Sequence, residues 1–433
     1  MGLRSKGWQN AAMASLRHAL IPALLLASLT AAPAVAQDEA VELPEGFNKK
    51  MAAKVTEVIE AVHPVRQLGA AEGVEYRVID NETFLDELQA LFEEEYPDEY
   101  VMAEDALYTR LGLIGPDQDL KKLILKIYDQ QVLAYYDPET TTFTLVGPIK
   151  KIDALESIVV AHEYGHALQD AKWDLESWMI DDLSRSDAIL AQQALVEGDA
   201  TAVMYDWAAR KLKLSDLLEV SAQALSQQDS RRIGRLPDLL SRQLEFPYID
   251  GYAFVNALRG RGDWDAVNAA YDAPPVSTEQ ILHPELYPDE LPVEVELPDI
   301  ASSLGPEWVA SYEQTMGEMQ THVWLADGKK PRSLFPALPA QLPNAEAAAG
   351  WGGDRLVSLD GPEGAWAVVW QTAWDSQKDQ KEFRTTAKKA MKDLPGAHKA
   401  SNADVVGGLS SPVLVLVADS AATMGTLEDA LGL

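Results

Sequence analysis

His162-Glu163-Tyr164-Gly165-His166 combines the residue types of a metal hydrolase at a useful spacing. On a helix, residues four apart share one face, so His162 and His166 can hold the same cation. Glu163 is turned about 100° from His162 and can take a proton from water beside the metal without being a ligand. Two histidines are too few for zinc, whose catalytic sites use three protein donors and keep one position open. A third histidine in the HExxHxxGxxH arrangement needs Gly at 169 and His at 172, where the chain has Gln169 and Lys172. The remaining source is a carboxylate on the next helix. Glu197, in Leu195-Val196-Glu197-Gly198-Asp199-Ala200-Thr201, is the best candidate, because its helical neighbours Ala194, Ala200 and Thr201 are small enough for a close crossing. Gly198 costs a helix up to about 1 kcal/mol relative to Ala, which a close crossing explains. Asp170, one turn beyond His166, can orient a ligand histidine. The blander readings are two hydrogen-bonded core histidines, a solvated Glu197 and a closed structural zinc, the last of which usually needs cysteine.

The elements around the motif must hold it rigid. Asp153 and Glu156 form a D-x-x-E capping box. Leu155, Ile158, Val159 and Leu168 continue an apolar pattern with no Pro between, so the spacing predicts a helix with the histidines two to three turns in. Upstream, Phe47 to Val62 has helical spacing, 74–79 reads as a strand, and helices fit 82–95 and 119–128. Val132–Tyr136 and Thr142–Val146 flank Asp137-Pro138-Glu139-Thr140, a hairpin signal. Helices are expected from 153 to about 207 and, broken at Pro237 and Pro247, to about Leu282. Pro331, Pro336, Pro339 and Pro343 mark a connector. The remainder reads strand, strand, helix, strand, helix, over 355–359, 365–372, 378–394, 412–418 and 421–431.

Composition narrows the function classes. The chain has 433 residues, 47% of them apolar, and no cysteine. Disulfides, thiol catalysis and Cys-based zinc or iron–sulfur sites are excluded, so a metal site must use His, Asp and Glu. A net charge of −32, from 36 basic and 68 acidic residues, argues against nucleic acid and anionic membrane surfaces as partners. Arg4, Lys6 and Arg17 precede an apolar stretch from Ala19 to Val35, which ends in Ala34-Val35-Ala36 and turns acidic at Asp38. This pattern predicts a signal peptide over residues 1–36 and an exported mature protein, periplasmic or extracellular. The rival is an uncleaved anchor, for which Pro22 and Pro33 make a poor spanning helix. No later apolar run approaches membrane-spanning length.

With HEYGH followed by EGDAT, the chain resembles the gluzincin branch of zinc metallopeptidases, which use two histidines and a downstream Glu. More closely, AYYDPET, VVAHEYGHALQD, LVEGDAT, PPVSTEQILHP and GWGGDR together resemble a family of exported bacterial proteins known mainly as predicted metallopeptidases. The resemblance implies an α+β protein: a mainly helical zincin-like domain with a small sheet over 37–329, a connector over 330–345 and a small α/β module over 346–433. It implies Zn²⁺ on His162, His166 and Glu197, a peptide or protein substrate, and amide hydrolysis with Glu163 as general base. Many gluzincins carry an Asp four residues after the ligand Glu to hold a histidine. Thr201 stands there, which leaves Asp170 and Asp199 as substitutes. For the oxyanion, His283 is the best-placed candidate donor, with Glu279 one turn earlier able to orient it, and Tyr252 is a weaker one; a purely structural role is the competing reading of both. In related folds an edge strand before the zinc helix holds extended peptide, and the 132–146 hairpin fits that place, with a plain core hairpin as the alternative. The alternatives are a retired peptidase fold that serves as an envelope binding or scaffold protein, and another kind of zinc hydrolase.

Overall fold

Met51, Val55, Val58 and Val62 form the buried stripe of helix α1 (Lys49–Arg66), capped by the Asn48 side chain. The computed structural model describes residues 46–95, 98–218, 220, 236–326 and 344–433. The expected signal peptide and residues 330–343 of the connector lie outside these. After α1 come β1 (Glu75–Ile79), α2 (Asn81–Glu95), α3 (Asp98–Arg110) and α4 (Leu120–Gln131). The hairpin forms as β2 (Ala134–Asp137) and β3 (Thr142–Val146). Asp137 closes its turn by accepting from the Glu139 amide and the Thr140 hydroxyl. β1 pairs parallel to β3 and β2 antiparallel to it, so that β2 is an edge of this three-stranded sheet.

Helix α5 (Ala154–Trp173) carries the motif and begins in the expected capping box. α6 (Ser186–Lys211) crosses it, and α7 (Asp238–Asp272) lies along α6. The expected break at Pro247 is absent. Pro removes one hydrogen bond and its fixed φ suits a helix, and buried Pro247 stays inside α7. The real interruption is at Gly262 and Asp263, whose φ is +52°. α8 (Thr278–Leu282) follows. Among the described residues, no helix is long and apolar enough to cross a membrane.

The second sheet has the order β4-β5-β6-β8-β7 and is antiparallel throughout. Its strands are β4 (Val309–Gln314), β5 (Trp351–Asp360), β6 (Trp366–Trp374), β7 (Ala397–Ser401) and β8 (Val413–Ala418). α9 (Gly317–Leu325), α10 (Gln377–Ala390) and α11 (Ala421–Leu431) complete this part. The protein is therefore α+β. A module starting at 346 leaves out β4, which pairs with β5 from before the connector. β4 was missed because its residues Val309-Ala310-Ser311-Tyr312-Glu313-Gln314 are half polar and stand at an edge. Leu359, Val369 and Leu416 pack under α11, while Leu356, Val368, Trp370 and Val415 face the main core with Trp324 and Phe383. A sheet covered on both faces reads as unbroken apolar runs.

The segments that marked the family resemblance hold the two parts together. Asp354 on β5 accepts from the amides of Met316 and Gly317 and from the Trp351 indole. Asp187 on α6 accepts from the Thr278 amide. Gly317 sits at φ +68°, and a Cβ there would collide with Asp187. Only glycine fits.

Candidate metal centre

Helix α5 holds its histidines rigidly because both ends are fixed. The N-terminus is capped by Asp153 and Glu156. Near the C-terminus, Asp170 accepts from the Tyr136 hydroxyl and the Leu175 amide. Small residues then let α6 approach: a Cβ on Gly165 would lie 3.3 Å from the Ala200 Cα. His162, His166 and Glu197 meet in this gap as a buried group that can hold a metal ion.

The spacing can be tested against zinc. His162 Nε2 lies 3.1 Å from Glu197 Oε2 and 3.1 Å from His166 Nε2, and His166 Nε2 lies 3.5 Å from the same carboxylate oxygen. Donors at zinc–nitrogen or zinc–oxygen distance on a tetrahedral ion stand about 3.4 Å apart. The set fits. Gln169 determines the tautomer of His166. Its amide nitrogen donates to the Val196 carbonyl at 2.9 Å, which turns its oxygen toward His166 Nδ1, also at 2.9 Å. Nδ1 therefore carries hydrogen and Nε2 faces the metal position.

The charges in the gap are strongly coupled. Burial works to lower His166, yet the carboxylates of Glu197 and Glu163 raise it to about 9. Burial alone would raise Glu197, but His166 and His162 hold it below its ordinary value. His162 is lowered, chiefly by burial. Glu163 is fully buried and neither carboxylate oxygen has a hydrogen-bond partner. Burial pushes its carboxyl up to about 8, against the pull of His166. A bare carboxyl at that value beside a metal position is suited to moving protons near neutral pH.

Several expected residues are elsewhere. Asp199 forms a fully buried two-point pair with Arg66, at 2.7 and 3.0 Å, and accepts from the Tyr271 hydroxyl. It does not orient a ligand histidine, because Arg66 from α1 claims both its oxygens. Asp170 bonds Tyr136 and Leu175 and no histidine; Gln169 does that work. His283 pairs with Glu318 at 3.0 Å and approaches Glu285, so it is held by α9 rather than by Glu279 and touches none of the metal-centre residues. Tyr252 stacks edge-on against Tyr205. Gly198 is explained by a different crossing from the one expected: it abuts Gly251 of α7, not α5.

Tyr248 on α7, which the sequence did not single out for this place, stands beside the cluster. Its ring lies 6.0 Å from that of His162. Burial, with the carboxylates of Glu197 and Glu163, pushes its hydroxyl well above the usual range and keeps it protonated. The available signal was Gly251, one helical turn after Tyr248 and matched to Gly198.

Comparison with known proteins adds one match. Residues 307–421, about a quarter of the chain, match a family described as a domain of unknown function (DUF8575). The match begins just before β4 and ends at the start of α11, so it follows the second sheet and excludes the metal centre. No curated protein and no solved structure matches the chain significantly.

Proposed function

We propose that the protein is an exported zinc-dependent metallopeptidase of the gluzincin type, with a zincin-like arrangement of α5 and the β1-β3-β2 sheet. The observation that carries the reading is the buried Glu163 carboxyl, free of hydrogen bonds beside three convergent donors at tetrahedral spacing. A structural metal site has no use for such a group. His162, His166 and Glu197 would hold the ion, and Gln169 fixes His166 for it. Bound zinc supplies a Lewis acid that polarises a carbonyl and acidifies water. Glu163 takes the proton from the attacking water and passes it to the leaving amine. The Tyr248 hydroxyl donates to the oxygen that becomes negative. β2, an edge strand packed against α5, offers main-chain groups along which an extended peptide adds as a further strand.

The test joins metal content to cleavage. Protein purified without chelator should hold about one zinc per chain and cleave members of a peptide library. Glu163→Gln should keep the zinc and the fold and lose the cleavage. Zinc below a tenth of an equivalent, not restored by added metal, overturns the site. Zinc without hydrolysis of any peptide overturns the activity and favours the scaffold alternative.

A further inference from the structure

Beside the metal centre lies a cavity of about 290 Å³, lined at one place by Glu197 and Tyr248. Its walls are largely apolar, with Phe92, Val101, Leu120, Ile124, Leu240 and Leu244 among them. One further carboxylate interrupts them. Glu104 on α3 accepts from the hydroxyls of Tyr108 and Tyr312 at 2.9 and 3.0 Å, and the Tyr100 and Tyr312 hydroxyls stand 2.9 Å apart. Both bonds to Glu104 fall on Oε1, and Glu104 is one of the residues that line the cavity. Among the described residues, no Lys or Arg lines this space.

A neutral amide would accept the same two hydroxyl bonds without the cost of burying a charge. Burial holds the Glu104 carboxyl above its ordinary range, against the two hydroxyls that steady the anion. Among the described residues no cation stands against this carboxyl to balance its charge. An acid in an apolar pocket selects long cationic side chains: their methylene stems lie along the walls and their charged ends reach the acid.

We propose that this cavity is the side-chain pocket of the enzyme and that it takes a lysine or arginine of the substrate, whose cation pairs with Glu104. The inference rests on the peptidase reading. The excess of acid over the whole chain, net −32, draws such basic peptides in at long range.

Two measurements separate the pocket from the activity. Calorimetric titration of the zinc-loaded protein with butylguanidinium and with neutral butylurea needs no catalysis. The guanidinium should bind at least about tenfold tighter, and Glu104→Gln should erase the difference. Equal binding, no binding of either, or a preference that survives Glu104→Gln overturns the proposal. The wild-type comparison decides by itself if the variant fails to fold. In a peptide library, wild-type cleavage should favour a Lys or Arg at one position flanking the scissile bond, on the order of 30-fold over Leu or Phe. Cleavage without that preference also overturns it. If no peptide is cleaved, the peptidase reading fails, and the titration still decides whether the cavity selects a cation.

Discussion

Gly198 and Gly251 stand backbone to backbone, so close that a Cβ on Gly198 would lie 2.2 Å from the Gly251 carbonyl. The contact clamps α6 to α7. Glu197 immediately precedes the first glycine and Tyr248 lies one turn before the second, so the same clamp sets Glu197 and Tyr248 together at the wall of one cavity.

Gly198→Ala tests the clamp. Alanine is the better helix former by about 1 kcal/mol, but its methyl meets backbone that cannot turn aside. A net loss of about 1–3 kcal/mol is expected, with weaker zinc binding. Urea unfolding and a zinc titration measure the two effects. A variant with unchanged stability and unchanged zinc affinity would show that the contact positions nothing.

Tyr248→Phe should lower turnover by about 10²–10³, the usual effect of losing one oxyanion donor, at unchanged zinc content. His283→Ala should instead lower the melting temperature, through loss of its bond to Glu318, and change turnover only with the folded fraction. Steady-state kinetics and melting curves on both variants check this. Full turnover in Tyr248→Phe removes that residue from the mechanism.

Zinc uptake should expel protons. His166 is raised to about 9, so at pH 7 the metal-free centre holds a proton on the imidazole that zinc must displace. At least about one proton per zinc should appear in titrations run in two buffers of different ionisation enthalpy. Affinity should rise with pH until about 9. A proton count of zero contradicts the charge state described for the centre.

Glu279 links stability to pH. Burial, then Glu318, Asp375, Glu290 and Asp187, push its carboxyl from 4.5 up to about 9. The folded state keeps a proton that the unfolded chain releases, so this contribution to stability is present below about pH 4.5 and is lost as pH rises toward 9. Glu279→Gln, uncharged throughout, should gain melting temperature over the wild type progressively from pH 5 to pH 9. Calorimetry at three pH values measures the gap, and a constant gap contradicts the assignment.

What could be read from the chain beforehand was local. The box of Asp153 and Glu156, the four-residue step from His162 to His166 and the alternation around Asp137-Pro138 each act within one helical turn or one hairpin. The remainder depends on partners far along the chain. Asp199 looks free to orient a histidine until Arg66, 133 positions away, takes both its oxygens. Gln169 was legible only as a missing glycine, although three residues after His166 it stands on the same helical face. Pro247 signalled a break, yet it stays buried inside α7, and half-polar β4 becomes a strand only because β5 is there to receive it.

β4 also orders events in time. Tyr312, which steadies Glu104, stands on a strand that leaves the ribosome well before its supports. The sheet behind it is consolidated by β8, whose last residue is Ala418, seated between β6 and β7. His162, Glu163 and His166 are synthesised some 250 residues earlier. A chain still being made thus carries His162, Glu163 and His166 long before the strand that bears Tyr312 has the rest of its sheet beside it.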